Sequence, residues 1–199
     1  MPKGFHSGFT LAELLIALLI LGEISTFTIP KIIYSQQNQK YNAVAKESAA
    51  MISGAYQQYQ YSGNSITTMS AGALTPYFNY LSIDTSGTLI DDVSTGGSIT
   101  CSAANPCFKL HNGATIHHWG DNFCSTPPTA IPYDLDPDGV YSGTTNGSGK
   151  SVRFFLYNTG RITTEGALDT NTQWSNTGSS TCQLSRSALP SHDPSWLSW

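Results

Sequence analysis

Apolar residues crowd the stretch from Phe9 to Ile29, interrupted by Glu13, Glu23 and a few hydroxyl side chains. At roughly 1.5 Å per helical residue, this run crosses about 30 Å of hydrocarbon. Beyond Pro30 the pattern turns amphipathic. Tyr41, Val44, Ser48, Ile52, Ala55 and Tyr59 recur at three- and four-residue steps, which is one face of a helix. Gly63-Asn64 supplies the stop. The pattern predicts one helix over 9–62, roughly 80 Å long, with a transmembrane segment over 9–29. Pro30 removes a backbone donor and is expected to kink the helix or open it locally.

The period then changes. Ser62 to Gly97 is rich in Ser, Thr and Gly and reads as loop with short strands. Phe108–Leu110 and Ala114–Trp119 flank His111-Asn112-Gly113 and read as a hairpin, because Asn-Gly favours the tight turn. Ser151–Tyr157 and Arg161–Thr164 flank Asn158-Thr159-Gly160 as a second hairpin, with Val152, Phe154 and Leu156 on one face. After Gly166 the chain is polar and turn-rich, and Trp196 and Trp199 follow. One long helix followed by hairpins predicts an α+β fold: an N-terminal α-helix packed on a small antiparallel β-sheet, with 63–199 as a globular β domain.

The chain has 199 residues, so one modest domain remains beside the membrane segment. Charged residues make up 11% and the formal net charge is −4, which argues against a nucleic-acid partner. Lys31, Lys40 and Lys46 read as a solvated helix face. The four cysteines, Cys101, Cys107, Cys124 and Cys182, all follow the apolar run, and an oxidising compartment would pair them. Three pairings exist. The favoured one is Cys101–Cys107, closing a small loop across Asn105-Pro106, and Cys124–Cys182, closing a long one. A metal site is disfavoured because no Cys-x-x-Cys spacing occurs.

Residues 1–8 read as a leader peptide, with Lys3 and the terminal amine placing positive charge on the cytoplasmic side. An ordinary secretory signal is cut after its apolar run. Here Gly8 precedes the run, so cleavage between Gly8 and Phe9 would leave the run on the mature chain. Glu13 is a carboxylate inside that run and calls for a cation. The amine exposed at Phe9 of a neighbouring subunit would supply one.

Gly8, then Phe9-Thr10-Leu11-Ala12, Glu13 and the apolar helix from Leu14 onward resemble the N-terminus of type IV prepilins and of the pseudopilins of type II secretion. Pro30 stands where such helices carry their membrane-end proline. The resemblance covers about a quarter of the chain. It implies cleavage by a prepilin peptidase and methylation of Phe9. It implies a single-pass inner-membrane precursor with its C-terminal domain outside the cytoplasm. An inner-membrane assembly platform would then pack it, through Glu13 and the helix, among identical or related subunits. The product would be an extracellular pilus or a periplasmic pseudopilus. A pilin-like domain with cysteine-linked loops at its outer edge is implied as well. Glu23 departs from the family pattern. A minor tip subunit acting as an adhesin is the rival, which exposed aromatics at Trp174, Trp196 and Trp199 would favour.

Asp134-Leu135-Asp136-Pro137-Asp138-Gly139 has the alternating acids and the glycine that open an oxygen-ligand calcium loop. The distal acid is missing, since Thr145 stands there, and the segment is equally an ordinary turn. Asp134, Asp136 and Asp138 are therefore candidate calcium ligands, and no cofactor is required. His111, His117 and His118 lie close in sequence, but neighbours on a strand point to opposite faces. Tyr56, Tyr59, Tyr61, Tyr77 and Tyr80 fit either a carbohydrate surface or, more simply, the helix-to-sheet core. No nucleophile elbow or phosphate loop occurs, and no enzyme is expected.

Overall fold

A computed structural model describes residues 10–67, 69–93, 97–118, 122–125, 127–141, 150–175, 182–184 and 193–198. One helix, α1, runs over Leu11–Tyr61 and carries Pro30 within it. It ends beside Gly63, whose φ of 78° is the left-handed conformation that closes helices. The chain divides into two compact units, residues 1–40 and 41–199. The division falls inside α1, whose second half buries its face in the β domain. Val44, Ala45, Ser48, Ala49, Ile52, Ala55 and Tyr56 are buried there. Tyr41 and Tyr59, assigned to the same face, are half-buried at its margins.

In the first unit every large apolar side chain from Leu11 to Ile33 is exposed. The helix is long and apolar enough to cross a membrane. Its hydroxyls are turned onto its own backbone. Ser25 donates to the Leu21 carbonyl at 2.7 Å, Thr26 to that of Gly22 at 2.6 Å, and Thr28 to that of Ile24. Such bonds satisfy polar groups that lipid cannot.

Among its described residues the second unit has ten strands. In chain order they are β1 (Tyr80–Asp84), β2 (Leu89–Asp91), β3 (Ser98–Thr100), β4 (Cys107–Leu110), β5 (Thr115–His117), β6 (Ala130–Asp136), β7 (Val152–Tyr157), β8 (Ile162–Thr164), β9 (Gln173–Ser175) and β10 (Cys182–Leu184). Six of them form an antiparallel sheet in the order β1-β4-β5-β6-β7-β8, while β2 pairs with β3 and β9 with β10. The long helix on an antiparallel sheet is the α+β arrangement that the pattern predicts. The two expected hairpins are β4–β5 and β7–β8. Gly113 and Gly160 take φ of 90° and 84° at their turns, where a side chain would strain the backbone.

β6 is the strand that the pattern hides. All seven of its residues are buried, so both faces are covered. Ile131, Tyr133 and Leu135 join Val152, Phe154 and Leu156 against α1. On the opposite side, Ala130 packs with Phe155, Tyr157 and Trp174. Pro132 lies opposite Phe155 of β7 but outside the register with β5, which covers only Asp134, Leu135 and Asp136.

The helix is fixed on the sheet at the β7–β8 turn. The Tyr56 hydroxyl donates to the Asn158 carbonyl at 2.5 Å, and Ser53 donates to the Gly160 carbonyl at 3.4 Å. A Cβ at Gly160 would stand 2.8 Å from the Tyr56 ring, so only glycine fits beneath it. Residues 193–198, in a tail expected to be turn-rich, are held against α1. Trp196 packs on Tyr41 with ring centroids 5.7 Å apart, and Asn42 Nδ2 donates to the carbonyls of Trp196 and Ser198 at 3.1 and 3.2 Å.

Candidate functional site

The start of α1 is the first site to consider. Gly8 and Phe9 lie outside the described residues. Thr10 stands just before the helix and Glu13 in its first turn. Glu13 Oε2 accepts from the backbone N–H of Thr10 at 2.8 Å and from its hydroxyl at 2.7 Å, while the Glu13 N–H donates to Thr10 Oγ1 at 3.3 Å. This is a reciprocal capping box: two otherwise open backbone donors are satisfied, and the carboxylate lies at the positive end of the helix. Thr10-Leu11-Ala12-Glu13 spells that motif in the sequence, and reading Glu13 only as an assembly acid misses it. Glu23, the second acid, is exposed on the same helix.

The acidic run is not a loop. Asp134 and Asp136 belong to β6, and only Pro137 onward turns. Asp134 lies opposite Arg153 in the register of β6 and β7. Arg153 donates from Nε and Nη2 to the two Asp134 oxygens at 2.5 and 2.6 Å, and both side chains are 1% exposed. A forked guanidinium–carboxylate pair of this kind is the strong form of the interaction. Asp92 approaches the same guanidinium at 3.9 Å. Burial pulls against the Arg153 charge, but Asp134 and then Asp92 outweigh it and hold the pKa above its usual range.

The other two acids have protein donors as well. Asp136 Oδ2 accepts from the Asp91 N–H at 3.2 Å, and its Oδ1 accepts from the N–H groups of Asp138 and Gly139 at 3.3 and 3.1 Å. Asp138 Oδ2 accepts from Lys150 Nζ at 2.8 Å. Burial raises the Asp136 carboxyl above the ordinary range. Asp138 moves the other way: burial opposes it, but Lys150 and Asp136 prevail and lower it. A Cβ on Gly139, at φ 64°, would meet the Gly113 carbonyl at 2.7 Å, so this glycine lets two turns pack together.

Two of the three candidate calcium ligands thus have protein cations as partners. The strand sends Asp134 to Arg153, and Lys150 occupies Asp138. Among the described residues, no group of three or more His, Cys, Asp or Glu side chains is placed to hold a metal.

The cysteines form two bridges, Cys101–Cys107 and Cys124–Cys182. The first packs with Ile90 and Ile99 in a small core of its own under β2 and β3. His117 lies in register with Asp134, and His118 stacks on Phe108 at 5.6 Å. Burial lowers both imidazoles to about 4. For His117 the nearby Asp134 opposes the shift, and for His118 the neighbouring His117 adds to it.

The expected aromatic surface is mostly interior. Tyr56 is buried, Tyr59, Tyr77 and Tyr80 are packed against the core, and Tyr61 is exposed. Trp174 is 5% exposed and meets Phe155 edge-on at 5.2 Å, Trp196 lies on Tyr41, and Trp199 is outside the described residues. No family model, no curated protein and no solved structure matches the chain.

Proposed function

We propose that this chain is a structural subunit of a type IV pilus or a related filament, inserted in the inner membrane as a precursor and assembled through its N-terminal helix. The observation that carries the reading is the helix from Leu11 to Ile33, which exposes all of its large apolar side chains behind one capped carboxylate, Glu13. An apolar surface of that extent is stable only in lipid or against other helices. A filament subunit uses both in turn: lipid before assembly, neighbouring helices after it. Gly8 and Phe9 supply the cut that frees an amine, and Glu13 is the group that receives the amine of the next subunit. The folded domain beyond Tyr41 is carried on the outside, with two bridges suited to an oxidising compartment. Of the aromatics that would favour a tip adhesin, Trp174 is buried and Trp196 packs on Tyr41.

Intact-mass analysis of the membrane-extracted protein tests the proposal. A mature chain that begins at Phe9 and carries one N-methyl group is expected. A mature N-terminus beyond Pro30 would overturn it, since the apolar segment would then be an ordinary removed signal.

A further inference from the structure

Glu23 is the only charged residue between Glu13 and Lys31. It is exposed on α1, six residues and about 9 Å inside the end of the apolar run at Ile29. Its neighbours on the helix surface, three and four positions away, are Leu19, Ile20, Thr26 and Phe27, and the three apolar ones are exposed with it. Glu13 accepts two hydrogen bonds from Thr10, but Glu23 has no hydrogen bond or ion pair among the described residues. A carboxylate held in lipid or among apolar helices without a donor is strongly unfavourable, so Glu23 calls for a partner from outside its own chain.

The donors that an identical helix offers are few. Thr10 donates to Glu13, and Ser25, Thr26 and Thr28 each donate to a carbonyl of their own helix. These are all the hydroxyls from Thr10 to Ile33, so none is left over for a neighbour's carboxylate. Lys31 is the one cation of the same stretch, and it is exposed and has no ion-pair partner among the described residues. Eight residues, about 12 Å along the axis, separate it from Glu23, so a single helix cannot pair the two. Parallel copies can. An amine at Phe9 that meets Glu13 of the next copy displaces the helices by four residues, about 6 Å. Two such steps make eight residues, which brings Lys31 of one copy level with Glu23 of the copy two steps along.

We propose that Glu23 and Lys31 of different copies form a second charge contact between subunits, toward the opposite end of the apolar run from the contact at Phe9 and Glu13. The partner is another copy of this chain, and the proposal rests on the filament reading above. The two contacts together fix the stagger of the helices: the first sets the step, and the second is met only at twice that step.

The test expresses full-length variants in place of the parent in its own cells and measures the ratio of chain in sheared filaments to chain left in the membrane. Glu23→Gln and Lys31→Gln should each lower that ratio about tenfold. The chain carrying both changes should lose no more than either alone, because each change breaks the same pair. A full-length chain with Glu23→Cys and Lys31→Cys should form, on mild oxidation, a disulfide between the two new positions. Positions about 12 Å apart on one helix are too distant to bridge, so that link joins two copies. The native cysteines are already paired and do not compete. An undiminished ratio in either Gln variant, or a combined loss near a hundredfold, overturns the pair and leaves the filament reading standing. A loss confined to Glu23→Gln assigns the carboxylate to a cation on a different subunit and also overturns it. Absence of the link in assembled filaments does the same. A parent chain missing from sheared filaments overturns this pair and the filament reading together.

Discussion

Arg153 keeps a full charge with 1% of its side chain exposed, and what permits this is one carboxylate on the next strand. Taking two ions out of water is unfavourable by several kcal/mol each, so such a pair is sound only while both members are present. Asp134→Ala should lower unfolding stability by about 3–5 kcal/mol in urea melts, because Asp92 at 3.9 Å replaces only part of the lost partner. The double change Asp134→Leu with Arg153→Met should return most of that loss. A double variant as unstable as the single one would mean that packing, and not charge, is at issue. The sequence concealed this pair for a local reason. Asp134 sits in an acid-rich run that looks like a cation loop, and its partner lies 19 residues away across a strand pairing. Residues whose role follows from periodicity were readable: Val44, Ser48, Ile52 and Ala55 on the helix, and Val152, Phe154 and Leu156 on the strand, are all buried as their spacing implies.

At the scale of the element, α1 depends on its first turn. Glu13 serves there as a cap, and in the proposed filament it also receives an amine. The two roles separate by substitution. Gln retains the capping box but lacks the charge, whereas Leu loses both. Glu13→Gln should leave the helical content of the detergent-extracted chain unchanged by circular dichroism and still reduce incorporation into filaments. Glu13→Leu should reduce both. Full incorporation of Glu13→Gln subunits would remove the charge from the assembly mechanism and leave Glu13 as a cap alone. Elements were legible where one signal dominates. A helix stop at Gly63 and two Gly-containing turns gave α1, β4–β5 and β7–β8. β6 was not legible because Pro132 reads as a breaker and its outer face carries Asp134 and Asp136 instead of apolar residues. β9 and β10 were hidden in polar sequence, and Cys182, which opens β10, is bridged back to Cys124.

The whole molecule should respond to pH through groups buried around the sheet. His117 and His118 have folded values of about 4 against 6.5 when unfolded, so the unfolded chain binds more protons between those limits. Their contribution to stability is complete above pH 6.5 and is lost as pH falls toward 4. Asp136 acts in the opposite sense, since its raised carboxyl favours the protonated folded state as pH falls. Two imidazoles outweigh one carboxyl, giving a net loss on the order of a few kcal/mol. Melting temperature should therefore drop between pH 6.5 and 4.5, and His118→Phe, which retains the stack on Phe108, should make the slope shallower. A flat profile in the parent chain would show that the two imidazoles do not outweigh Asp136. The α+β class was visible in the change of period along the chain, whereas the sheet order was not, because pairing is decided by contacts that no local pattern records. One further consequence follows from the Tyr56 ring seated on Gly160. A helix slipping by one turn, about 5.4 Å, would carry that ring off Gly160. The seat works as a detent. Tension applied along the second half of α1 must pass into the β7–β8 turn at that point, so the helix and sheet bear load as one piece and cannot creep past each other.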